Sequence, residues 1–161
     1  MAHHIAQINA SLPLEPLDSA RLSGFVAALD SINALADEAP GFRWRLQTED
    51  GDATAVRLSD DRLIVNLSVW ESIEALADYV FRTAHTAVMR RRREWFAPMG
   101  KPMTALWWVP AGTAPTVAEA EQRLNHLQAN GPTPYAFTFR ASFPSPDGVA
   151  AAADVEWFCP A

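Results

Sequence analysis

The stretch from Leu63 to Val109 limits most what this chain can fold into. It reads LIVNLSVW, then ESIEALADYVFRTAHTAVMRRRREWF, then APMGKPMTALWWV, which is the pattern strand, long helix, loop, strand. Leu63, Val65, Leu67 and Val69 fall on one face of the first strand, and Ile64, Asn66, Ser68 and Trp70 on the other. Both faces carry apolar groups, so the strand is expected to be central and covered on both sides. Asn66 and Ser68 then need partners, because buried polar groups without them are costly.

The helix is expected from Glu71, where acid suits the positive end of the dipole, through to Phe96. Ile73, Leu76, Ala77, Val80, Ala84 and Val88 form its apolar stripe, with Phe81, His85, Met89, Arg92 and Phe96 along the shoulder. Arg90 to Arg93 advance by roughly 100° per residue, so a straight helix cannot hold all four in water. Either Arg91 or Arg92 leans toward the sheet, or the helix bends near Ala87. The run TALWWV is a strand of high β propensity.

Around this stretch the chain continues the alternation of elements. His3 to Asn9 reads as a first strand. Asp18 or Ser19 is placed to cap a helix carrying Leu22, Phe25, Val26, Leu29, Ile32, Asn33 and Ala36, stopped by Pro40-Gly41. Asn33, near its apolar face, is either a buried amide bonded to backbone or a ligand contact. Phe42 to Leu46 alternates as a strand. Asp50-Gly51-Asp52 and Asp60-Asp61 mark turns, with pairing extended between them at Val56 to Leu58. Thr116 or Thr113 is placed to cap a helix over 117–128, with a capping box from Thr116 to Glu119, Asn130-Gly131-Pro132 ends it, and Tyr135 to Arg140 alternates as a last strand. Residues 1–141 are expected to be one domain. Residues 142–161 read as a loosely attached tail in which Trp157 and Phe158 are able to dock.

The order β-α-β-β-α-β-α-β begins with a split βαβ, ferredoxin-like arrangement: an α+β fold with an antiparallel sheet, helices on one face, and an extra C-terminal αβ. Helices on one face leave the other bare, and a bare face of Trp, Phe and Ile is costly in water. The expected remedy is a second copy laid sheet to sheet, a homodimer.

The formal charge of −6 disfavours nucleic acid as a partner, and the basic run from Arg90 to Arg93 is local. The one cysteine, Cys159, makes no intrachain disulfide and suits a reducing cytoplasm. No signal peptide and no apolar run of membrane-spanning length is visible, so a soluble cytoplasmic protein without a membrane partner is expected.

Nothing in the chain matches a glycine-rich phosphate loop, a nucleophile elbow or a zinc signature. His85 is the sharpest candidate for chemistry, since a neutral imidazole serves as acid, base or haem ligand. The plain alternative is a boundary histidine with its ring edge on Phe81. An inward arginine pairs with a carboxylate, for which Glu74, Asp78 and Glu94 are available, or binds an anionic group. Trp44, Trp70, Trp95, Trp107 and Trp108 line an aromatic pocket or fill core and interface. Gln7, Asn9, Asn66 and Ser68 supply hydrogen bonds inside a mainly apolar cavity, or bond to one another across strands.

The segments AQIN, GFRWRLQ, VNLSVWESIEAL, His85 followed by RRRREWF, LWWVPAG, PTVAEAEQRL and GPTPYAFTF resemble a bacterial family of uncharacterised domains. That family sits with the dimeric α/β-barrel proteins, near the antibiotic-biosynthesis monooxygenases, and the resemblance covers about His4 to Arg140. It implies the ferredoxin-like fold and a dimeric α/β barrel. Where the family often carries a histidine after WWVPAG, this chain has Thr113. Relatives of this kind work without a cofactor by activating a substrate carbanion toward oxygen. Others in the superfamily bind haem through a helix histidine.

The expected function is therefore that of an oxygenase-like enzyme acting on a small apolar or aromatic metabolite between sheet and helices. His85 is the expected catalytic residue. Asn66, Ser68, Trp70, Phe81, Arg92 and Trp108 are the expected substrate contacts. No cofactor is needed on this reading. The alternatives are a haem-dependent oxidoreductase, with His85 on the iron and Arg92 near a propionate, and a non-catalytic dimeric binding protein.

Overall fold

The computed structural model describes residues 2–147. Strand β1 spans His3–Ser11, helix α1 Ser23–Glu38, β2 Phe42–Arg45, β3 Ile64–Trp70, α2 Ile73–Arg82, α3 His85–Arg90, α4 Arg92–Trp95, β4 Thr104–Pro110 and α5 Val117–Asn130. The strands form one sheet in the order β2-β3-β1-β4, each neighbour antiparallel. β3 is thus inserted between β1 and β2, which is the split βαβ arrangement of an α+β, ferredoxin-like fold. Gln7 of β1 lies opposite Ser68 of β3 and Leu106 of β4, and Asn9 lies opposite Asn66 and Thr104.

The two-residue period sorts the sheet into two faces. Ile5, Trp70 and Leu106 point one way and pack with Ala36 of α1, with Ile73, Leu76 and Val80 of α2, and with Phe137. Ala6, Ile8, Ala10, Val65, Leu67, Val69, Ala105, Trp107 and Val109 point the other way. That second face is not bare. Ala120, Leu124 and Leu127 of α5 join its cluster, as do Leu58 and Leu63, with Leu46 and Val56 packed alongside. Within the single chain Ala6 is 0% exposed, Leu67 1% and Val69 1%. The extra C-terminal helix crosses to the face expected to be left to a second copy. The apolar reason for pairing through that face is therefore absent, because its surface is already out of water.

The long helix expected from Glu71 to Phe96 is three segments. Thr83 is extended, with φ −119° and ψ −177°, and Arg91 breaks the chain again at φ −94° and ψ 1°. The Thr83 hydroxyl donates to Tyr79 O at 2.6 Å and accepts from His85 N–H at 3.3 Å. A side chain competing for backbone groups in this way ends a helix locally. The breaks at Thr83 and Arg91, rather than a bend near Ala87, let Arg90, Arg91, Arg92 and Arg93 all reach solvent.

Smaller differences have local causes. Ser72 caps α2, accepting from Ala75 N–H at 3.1 Å. α1 begins at Ser23, after a turn in which Ser19 accepts from Leu22 N–H at 3.4 Å. Thr116 caps α5 by accepting from Glu119 N–H at 3.1 Å, but the Glu119 carboxylate turns to Arg123. The strand expected over Tyr135 to Arg140 shrinks to an isolated bridge, in which Leu106 and Phe137 exchange both backbone hydrogen bonds at 2.8 and 2.9 Å. Pro132 and Pro134 precede it and supply no donors for a longer ladder. No strand forms over 56–58, although Leu58 is buried.

Beyond Arg140, Trp108 Nε1–H donates to Phe143 O at 2.9 Å, and His3 Nδ1 meets Asp147 Oδ1 at 3.0 Å. Trp157, Phe158 and Cys159 lie outside the described residues. Among the described residues no helix is long and apolar enough to cross a membrane.

Candidate ligand cavity

A cavity of about 450 Å³ lies between the sheet face of Gln7, Asn66, Ser68 and Trp70 and a roof made by α1, α2 and α3. That volume is in the range of small-molecule sites. The floor comes from β1 and β3, whose alternation brings every second side chain into it.

At one end the walls are aromatic. The Trp70 ring stacks on Tyr79 with centroids 5.0 Å apart and planes 24° from parallel, and Phe42 meets Trp70 edge-on at 5.4 Å. The Tyr79 hydroxyl donates to Ile32 O of α1 at 3.1 Å, which ties the two roof helices together. Burial disfavours its phenolate and pushes its pKa up to about 12. Tyr79 was missed by sequence reasoning. Its signal was its position three residues after Leu76, beside the apolar stripe of α2.

His85 follows on the roof, its ring 5.0 Å from Tyr79 and tilted by 43°, and not on Phe81. Its Nδ1 lies 3.2 Å from Val80 O. A carbonyl only accepts, so Nδ1 carries the proton and Nε2 keeps its lone pair. Val80 has a carbonyl to spare because α2 stops at Arg82, which leaves the last-turn carbonyls without helical partners. Burial holds the imidazole pKa below its ordinary value, with the Val80 contact opposing in part.

Across the floor the polar groups divide. Trp70 Nε1–H donates to Ser68 Oγ at 3.0 Å, and Ser68 Oγ–H donates to Gln7 Oε1 at 3.3 Å. Asn9 donates to Thr104 Oγ1 at 2.6 Å and accepts from Ser11 at 3.3 Å. Of the four amide and hydroxyl residues expected to bond to one another across strands, only Ser68 and Gln7 do so, while Asn9 turns to Thr104 and Ser11. Asn66 lines the cavity with no hydrogen bond among the described residues. Asn33 on α1, expected to be bonded to backbone, lines it likewise without one.

Phe81 lines the cavity and packs edge-on against Phe139 at 5.2 Å. Arg92 reaches it from α4 and has no ion pair among the described residues. Its neighbour Arg91 is paired with Glu94 at 2.7 Å and lies over Trp95 at 4.7 Å, while Arg82 is paired with Asp78. Trp95 closes the far wall with Phe25, 5.7 Å away. Trp44 and Trp107 belong to the opposite sheet face. Trp108, expected as a substrate contact, shares the cavity's sheet face but is not among the residues that line it, and its indole N–H donates to Phe143 O. The structure therefore gathers His85, Asn66, Ser68, Trp70, Phe81 and Arg92 around one space and leaves Trp108 out.

No curated protein matches this chain. Solved structures with a similar course of backbone include SnoaB, a cofactor-independent oxygenase from Streptomyces nogalater, at TM-score 0.44 and 17% identity over 71% of this chain and 100% of that one. Rv0793 from Mycobacterium tuberculosis has TM-score 0.46 and 17% identity over 70% of this chain and 99% of its own. NE2512, a protein of unknown function from Nitrosomonas europaea, has TM-score 0.46 and 14% identity over 71% and 96%. At such identities the likeness is one of fold. Residues 4–153 match the family described as a domain of unknown function, DUF3291, and the chain belongs to that family.

Proposed function

We propose that the protein binds a flat, apolar or aromatic small molecule between its sheet and helices and acts on it as an oxygenase-like enzyme, with His85 as base. The observation that carries this is the 3.2 Å contact of Nδ1 with Val80 O, which leaves a bare Nε2 in a cavity walled by Trp70, Tyr79 and Phe81. A histidine that stays neutral near pH 7 is available to take a proton. Nε2 accepts it from an acidic C–H or O–H of the substrate, and the free amide N–H groups of Asn66 and Gln7 stabilise the anion that forms. That anion supplies electrons to dioxygen. A CH₂ group becomes C=O, one oxygen atom enters the product, and the other leaves as water with the two hydrogens.

The proposed unit is one chain, since α5 already covers the sheet face through which a homodimer was expected. A purely scaffolding role expects no ligand-sized space beside His85, and the 450 Å³ cavity speaks against it.

The test is oxygen uptake with a panel of polycyclic phenols and ketones. His85→Gln is expected to abolish uptake while binding, read by quenching of tryptophan fluorescence, persists. Undiminished turnover in His85→Gln removes the base.

The same lone pair favours a second reading, haem binding. The residues fit that group in kind, with an unprotonated Nε2 and, for a propionate, Arg92, which has no ion pair among the described residues. Haem would supply an iron centre for redox chemistry. Haemin added to the protein then gives a Soret shift that His85→Ala lacks, and no shift eliminates this reading.

A further inference from the structure

The cavity continues past the amides. A second hollow of about 290 Å³ adjoins it, and Asn9, Ser11, Arg92, Thr104, Thr138 and Phe139 line both. The second hollow adds Lys101 to its lining. Neither Arg92 nor Lys101 has an ion-pair partner among the described residues. Glu94 is engaged by Arg91 at 2.7 Å, and Asp60 by Arg62 at 2.8 Å, with the Lys101 charge also acting on Asp60. Arg45, at the β2 side of the larger cavity, is instead held on Asp37 at 2.7 Å. In a chain of formal charge −6, two cations without an ion pair among the described residues on one wall are a local reversal of sign.

The floor changes character in the same direction. It runs from Trp70 through the Ser68–Gln7 pair to Asn66 and Asn9, and then to Ser11 and Thr104. Trp70 and Asn66 are four residues apart on one strand, about 13 Å at a rise of ~3.3 Å per residue. We infer that the ligand is an elongated organic acid, with its aromatic body against Trp70 and Tyr79 and its carboxylate at the Arg92–Lys101 end. A guanidinium offers forked donors matched to a carboxylate, and the lysine adds a second charge. The inference rests on the cavity being a ligand site and adds the class of ligand.

The experiment titrates the full chain with naphthylhexanoic acid and, separately, with naphthylhexanol, by calorimetry at low and high salt. The acid is expected to bind about tenfold more tightly at low salt, with the advantage shrinking at high salt. Arg92→Gln and Lys101→Gln each reduce that advantage, and a cooperative melt of each variant shows that it is folded. Equal affinity of acid and alcohol overturns the inference while leaving the cavity reading standing. An acid preference that survives the double variant overturns it too. Binding of neither compound by a chain that still melts cooperatively removes both the inference and the reading beneath it.

Discussion

The carbonyl oxygen of Val80 holds Nδ1 of His85 at 3.2 Å, five residues along the chain. In an unbroken helix the His85 N–H would bond to Phe81 O, one residue away from the carbonyl its ring now uses. The break at Thr83 therefore does two things: it redirects the backbone, and it offers a free carbonyl that fixes the tautomer. Nitrogen-15 NMR of the imidazole is expected to show Nδ1 protonated and Nε2 bare at neutral pH. The opposite tautomer removes the proposed base.

The same geometry sets a pH dependence. The folded pKa of His85 lies below its ordinary 6.5, because burial penalises the imidazolium. The unfolded chain therefore binds the proton more tightly. The histidine's contribution is fully present above about pH 6.5 and is lost as pH falls toward the folded value. Urea denaturation from pH 8 down to pH 5 is expected to show stability declining through that window, with a smaller decline in His85→Gln. Equal slopes count against a buried imidazole.

Tyr79 titrates in the opposite window. Its pKa rises from 10.0 to about 12, so its contribution is whole below pH 10 and lost as pH climbs toward 12. Two units correspond to on the order of 2–3 kcal/mol. Tyr79→Phe loses the hydrogen bond to Ile32 O, about 1 kcal/mol at neutral pH. The variant should also lose less stability than the parent between pH 10 and 12. Denaturation at both pH values, together with absorbance titration of the phenol, checks it.

Much of this was legible in the sequence where a single period dominates. The alternation of Ile64 to Trp70 gave a central strand, buried at Val65 and from Leu67 to Trp70 but exposed at Asn66, and Thr116, one of the two threonines offered as its cap, marked the start of α5. Three things were not legible. The helical period runs through Thr83 without interruption, because the hydroxyl that ends α2 acts through local hydrogen bonds that periodicity does not record. The face chosen by α5 depends on the length and path of the 110–117 connection, not on the helix's own stripe. Of the site residues, His85 and Trp70 stood out by type, whereas Tyr79 carried no pattern of its own and Trp108, one of several strand tryptophans, lies on the cavity's sheet face but outside its lining.

Gly41 tests the packing of β2 on α2. Its φ is +82°, and a Cβ there would come within 2.6 Å of the Ala75 Cβ, while its carbonyl accepts from Glu71 N–H at 2.7 Å. Gly41→Ala combines a left-handed backbone penalty of about 1–2 kcal/mol with a steric clash. The total is expected near 2–4 kcal/mol by urea denaturation. Adding Ala75→Gly removes the clash but not the backbone term, so the double variant should recover part of the loss. Full recovery, or none, contradicts that division.

The cover formed by α5 makes the state of association a direct measurement. Leu124 is 3% exposed and Leu127 1%, both in the cluster with Leu67, Val69 and Trp107. With that face filled from within, light scattering at micromolar concentration is expected to give a single chain of 17.7 kDa. Leu124→Ala should cost about 2–5 kcal/mol, as for other large-to-small changes in a core. Pairing it with Leu127→Ala loosens the helix and bares apolar sheet, so the double variant should self-associate where the parent does not. A parent that scatters as a dimer and a double variant that falls to one chain would reverse the assignment, making α5 part of an interface and not a lid over the sheet.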